Sequence, residues 1–142
     1  MRCVTNLFMN IPEQAHWQYE RGEGRHKHCW AKDEAGFHPS PKGLVGKCHA
    51  SITNDIAVNL LRNGVVYYAP GSLFVEHVYA VYRGTIYEAA PTRIGESFHG
   101  YPWRGDLGGG GLPPRILRRL RDMATRQGCI KEFEQWLTTY GK

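Results

Sequence analysis

Three side chains between Gly46 and Thr92 have the types and the order that thiol catalysis uses: Cys48, then His77, then Glu88. A cysteine attacks as its thiolate, a histidine takes the thiol proton, and a carboxylate orients the histidine. Cys48 stands just ahead of a helical pattern, where the positive end of the helix dipole lowers a thiol's pKa. His77 opens a strand pattern. Glu88 lies eleven residues further on, across an Arg83-Gly84 turn, so cross-strand pairing can bring its carboxylate to His77.

The stretches GKCHASITNDIAVNLL and HVYAVYRGTIYEAAPT carry a cysteine before a helix, a His-x-aromatic on a strand, a glycine turn, and an acid ahead of Pro91-Thr92. In this they resemble the papain-like and transglutaminase-like cysteine enzymes, especially the papain-fold toxin domains of bacterial polymorphic toxins and effectors. The resemblance covers residues 46–92, about a third of the chain. It implies Cys48 as nucleophile, His77 as base and Glu88 as orienter. The implied chemistry is hydrolysis or transfer at an amide, with deamidation of a glutamine as one form and protein favoured over RNA as substrate. A toxin of this kind is expected to meet a small acidic immunity protein, which the basic charge of this chain suits.

Two further constellations compete with that one. His26, His28 and Cys29, with Cys48 and His49 about twenty residues on, supply the ligand types of a zinc site, and a Cys48 bound to zinc would be no nucleophile. The segment SFHGYPWRGD offers His99, Tyr101, Trp103 and Arg104, which suit the lining of a substrate cleft. With the arginines of 115–126, His99 also suits a metal-independent ribonuclease or a nucleic-acid-binding toxin, which needs a base, an acid and a cation at the phosphate. The plainer account of the same residues is a wall of core aromatics and a solvated helix face. A third class is a non-enzymatic factor that acts only by binding another protein. No organic cofactor is called for.

The elements that must position these groups are legible in part. At 142 residues the chain reads as one domain, 1–142, long enough to bury roughly two thirds of its unfolded surface. Hydrophobic residues make up 42% and charged residues 22%, which sets it apart from disordered chains, and the net charge of +5 permits an acidic partner or nucleic acid. No charged start with an apolar run opens the sequence, and no segment approaches 18 apolar residues, so a cytosolic site of action, in a target cell if the domain is delivered, is expected without a membrane. The four cysteines lack regular spacing and read as thiols. Apolar spacing predicts a helix over 51–63, capped by Ser51 or Thr53. Strands follow at 65–69, 74–82 and 85–89, with Val75, His77, Tyr79 and Val81 on one face and Glu76, Val78, Ala80 and Tyr82 on the other. Helices are predicted from Pro114 to Gly128 and from Ile130 to Gly141, while 21–47 and 91–112 read as loops. The class is α+β: one helix, a small antiparallel sheet, and two C-terminal helices packed on it.

Overall fold

Arg83 and Gly84 set the register of the sheet. Both take positive φ, 50° and 83°, the backbone of a two-residue turn whose twist matches that of the strands it joins. In the computed structural model, which describes residues 11–20, 32, 34–41, 43–105 and 111–141, this turn joins β5 (Val75–Tyr82) to β6 (Thr85–Arg93). Tyr82 then faces Thr85, and the ladder continues through Ala80 opposite Tyr87, Tyr79 opposite Glu88 and Val78 opposite Ala89. β4 (Val65–Tyr68) flanks β5 and β7 (Ser97–Pro102) flanks β6, all antiparallel. The two-residue β1 (Gln18–Tyr19) pairs with β7 in parallel, giving the order β1-β7-β6-β5-β4. A separate hairpin joins β2 (Gly36–Ser40) to β3 (Gly43–Lys47).

Helix α1 (Asn54–Arg62) begins at Thr53, whose side chain accepts a hydrogen bond from the Ile56 amide at 3.2 Å. Ser51, the other expected cap, bonds elsewhere. The end of α1 is anchored by a 3₁₀ turn, Pro12–His16. Fully buried Gln14 donates through Nε2 to the carbonyls of Leu61 (3.0 Å) and Gly64 (2.9 Å), at and just beyond the last turn of the helix. Arg62 Nε donates to the Trp17 carbonyl at 2.8 Å, tying the same segment down a second time.

Two apolar clusters lie on opposite faces of the five-stranded sheet. On one face Tyr79, Val81, Ile86 and Trp103 meet Ile116, Leu120 and Ala124 of α2 (Pro114–Gln127), and Phe133 and Trp136 of α3 (Ile130–Tyr140). On the other, Val78, Ala89 and Phe98 meet Leu61 of α1 and Trp17, whose ring centroid is 4.5 Å from that of Phe98. Each of the large aliphatic and phenylalanine side chains buried here stabilises the fold by about 1.5–3 kcal/mol. The architecture is α+β with two C-terminal helices on the sheet, as expected. No helix among the described residues is long and apolar enough to cross a membrane.

Three expectations are corrected. Residues 91–102 are not loop, because β6 runs to Arg93 and β7 pairs along it. Residues 36–47 are a hairpin, and Phe37 packs 5.1 Å from the Tyr140 ring and 6.1 Å from that of Trp136. A bulge opposite Tyr67 and Tyr68 turns Val75 to the side of Val78, away from His77.

Candidate active site

Tyr79 and Glu88 are cross-strand partners, and Glu88 is in turn opposite Tyr101 on β7. All three therefore share the face covered further along by α2 and α3. The Tyr79 hydroxyl donates to Glu88 Oε2 at 2.7 Å, and the Tyr101 hydroxyl also bonds this carboxylate. Burial, and then the carboxylate, hold both phenols well above their ordinary pKa. His77, two residues before Tyr79, is on the same side, with Nδ1 3.7 Å from Glu88 Oε2. That is ion-pair range for a protonated ring and longer than a direct hydrogen bond. The His77 and Glu88 side chains are 27% and 15% exposed, so the pair is reachable from solvent.

One step along the strands lies a second histidine. Ala90 pairs with His99, and Val78 pairs with Ala89, so Ala90 stands between His77 and His99. Tyr67 on β4 pairs with His77 and completes the row Tyr67, His77, Ala90, His99 across four strands. Two interstrand spacings separate the histidine backbones, about 10 Å. The side chain between them, that of Ala90, is a single methyl, so no bulky group stands between the two histidine positions. Thr92 Oγ1 lies 2.9 Å from His99 Nδ1 and orients that ring, and Tyr101 packs with its centroid 6.1 Å away.

Cys48 is on the other side of the sheet. The residue after it, His49, donates its amide to the Tyr87 hydroxyl at 3.0 Å, and Tyr87, next to Glu88 on β6, points to the opposite face. Cys48 borders a cavity of about 40 Å³ with Tyr19, Leu60, Val78, Tyr87 and Gly100, the surface on which α1 packs. Burial, and then the neighbouring thiol, push the Tyr87 phenol well above its ordinary value. The expected meeting of Cys48 with His77 and Glu88 is therefore corrected: the sheet stands between thiol and imidazole. Glu88 does come within 3.7 Å of His77, although its cross-strand partner is Tyr79, and alternation puts the α1 side on the even-numbered residues of β5, such as Val78 and Ala80. Cys48 also precedes the cap Thr53 by five residues, beyond the turn over which the helix dipole acts. Next to it in sequence is a polar chain: Ser51 Oγ sits 2.8 Å from buried His49 Nδ1 and 2.5 Å from the Tyr82 hydroxyl.

The remaining candidates divide. Tyr101 belongs to the site. Trp103 does not line a cleft: it is 4% exposed in the core, and its carbonyl accepts from Trp136 Nε1 at 3.1 Å. Arg104 lies past the far end of β7 from His99, with its guanidinium 5.2 Å from the Phe37 ring centroid and 5.7 Å from that of Tyr140. His26, His28 and Cys29 fall outside the described residues, and among those described no three His, Cys, Asp or Glu side chains converge as a metal site. Cys48 and Cys129 are in no disulfide. Ala90 and Thr92, which flank the histidines, escape a reading by spacing alone, which gives Tyr79 only as the aromatic two places after His77. The signal for Tyr79 was present, since an i, i+2 step from His77 on a strand places its hydroxyl beside the same acid. Comparison with protein-family models, with curated proteins and with solved structures finds no match to this chain.

Proposed function

We propose that this domain is a ribonuclease that works by general acid–base catalysis, without a metal, at the row of His77 and His99. The observation that carries it is the placement of two part-exposed histidines on one sheet face, on either side of Ala90, with Glu88 3.7 Å from one of them. A phosphodiester with an adjacent hydroxyl needs two proton transfers on opposite sides of phosphorus, and two histidines with no bulky group between them suit that demand. His77, its Nδ1 turned to Glu88, takes the ribose 2′-hydroxyl proton at Nε2. The 2′-oxygen bonds to the adjacent phosphorus, the bond to the 5′-oxygen breaks, and His99 gives that oxygen its proton. The products are a 2′,3′-cyclic phosphate and a 5′-hydroxyl end. Glu88 stabilises the imidazolium that forms on His77, and Tyr79 and Tyr101 hold Glu88 in place. The net charge of +5 favours encounter with a polyanion. RNA thus replaces protein as the favoured substrate, because the amide chemistry required a thiol that faces away from the base.

The test is cleavage of a labelled RNA in EDTA, with the product ends identified by mass spectrometry. Cyclic phosphate ends, loss of about 10²-fold or more in rate on His77→Ala or His99→Ala, and resistance of the all-DNA strand are expected. Intact RNA, or cleavage indifferent to both histidines, would overturn the proposal.

A further inference from the structure

A wide groove lies beyond the catalytic row. It has a volume of about 750 Å³ and runs between α2, the end of α1 and the N-terminal 3₁₀ turn. Arg62, Arg119 and Arg126 line it with a single acid, Asp122, and its walls include Ile11 and Met123. Arg119, Asp122, Met123 and Arg126 fall at helical three- and four-residue steps, so α2 turns one continuous stripe into the groove.

The positive charge of this stripe exceeds its one acid, with Arg119 and Arg126 set against Asp122. On the outer side of the same helix, Arg121 forms a two-bond pair with Glu134, at 2.7 and 3.1 Å. Arg119 and Arg126 have no such carboxylate partner among the described residues, and Asp122 pairs with neither. Burial, then the charges of Arg115 and Arg126, hold Arg119 below its ordinary value. Guanidinium groups crowded together in a concave, half-apolar groove are relieved by phosphate, which they bind in a fork of paired hydrogen bonds. The groove also adjoins the catalytic row. Val65 of β4 lines the groove and Tyr67, two residues on, pairs with His77, a step of about 7 Å along the strand.

We infer that this groove binds the backbone phosphates of the single-stranded RNA flanking the bond that is cut. This rests on the ribonuclease reading and gives it a substrate path: cleavage at the row, grip along the β4 edge. Arg119 and Arg126 are binding residues here and take no part in proton transfer.

The experiment is fluorescence anisotropy with a labelled 2′-O-methyl oligoribonucleotide, which has the phosphates and lacks the nucleophile. It compares wild type, the double variant Arg119→Gln/Arg126→Gln and His77→Ala, each checked for folding by circular dichroism. The double variant is expected to lose roughly tenfold or more in affinity and to show a shallower salt dependence, as two phosphate contacts disappear. His77→Ala, which removes a proton acceptor and no phosphate contact, should keep the salt dependence of wild type. Equal binding by wild type and the folded double variant overturns the groove assignment. So does a wild type that ignores the oligonucleotide and binds polyglutamate through the same arginines, which would mark the groove as a site for an acidic protein. The two proposals separate cleanly. RNA cleaved as expected with binding unmoved by the arginine changes removes only the groove. Binding lost in the double variant with RNA left intact by wild type removes only the ribonuclease.

Discussion

The Glu88 carboxylate is held by two phenols from two different strands, and this fixes more than its position. Each hydroxyl keeps its proton because burial and the adjacent negative charge both oppose a phenolate. Their folded pKa values exceed the unfolded value of about 10, so the native state binds these protons more tightly. The stabilisation is complete below that pH and is lost as pH rises beyond it. The chain has 8 tyrosines. Absorbance at 295 nm should therefore show Tyr79, Tyr87 and Tyr101 silent near pH 10 and ionising only with alkaline unfolding. Tyr79→Phe should remove one late-titrating group. Reversible ionisation of every tyrosine near pH 10, with the fold intact, would contradict the network.

Among the elements, two glycines separate conformational from steric constraint. Gly84 (φ +83°) forms the β5–β6 turn against the start of α3, where a β-carbon would overlap the Glu132 side chain and meet its backbone. Gly128 (φ +77°) ends α2 in the left-handed conformation, with open space around it. Gly128→Ala should cost about 1–2 kcal/mol in urea unfolding, the price of the backbone alone. Gly84→Ala should cost more than about 3 kcal/mol, because overlap is added to the same backbone term. Equal losses would mean that the turn does not rest on α3. The same scale explains what could be read beforehand. Both C-terminal helices carry their apolar residues at helical steps and close on glycine, and the strands around Arg83-Gly84 alternate cleanly. β7 escaped because Ser97–Pro102 contains a glycine and a proline and has no alternation of its own; its pairing is imposed by β6. β2 and β3 were hidden in the same way by their glycines and proline. The face on which α1 docks, which decided the fate of Cys48, is set by tertiary packing of Leu61 and Trp17 and leaves no trace in local spacing.

At the scale of the molecule the sheet is a partition. One side carries His77, Glu88 and His99, and the other carries Cys48, His49 and Tyr87, so chemistry on one side is insulated from substitution on the other. Cys48→Ala is expected to leave RNA cleavage within about twofold of wild type, as for a substitution remote from the reacting groups. Iodoacetamide on Cys48, with the other three cysteines replaced by serine, should react no differently in His77→Ala. Loss of activity on Cys48→Ala, or a thiol whose reactivity follows His77, would restore the thiol enzyme.

The short parallel strand β1 has a kinetic meaning. Gln18 must find Ser97, and no local turn brings them together. The β4–β7 meander, by contrast, closes through successive neighbours. Long-range closure is slow, so the meander should be in place before the N-terminal segment docks, and that segment should be the first to detach. Native-state hydrogen exchange should accordingly find the Gln18 and Glu20 amides, bonded to Glu96 and Phe98, released ahead of those in β5 and β6. Ile11, Pro12 and Ala15 form one wall of the arginine groove, so the last part of the molecule to assemble is also the part that gives the groove its depth.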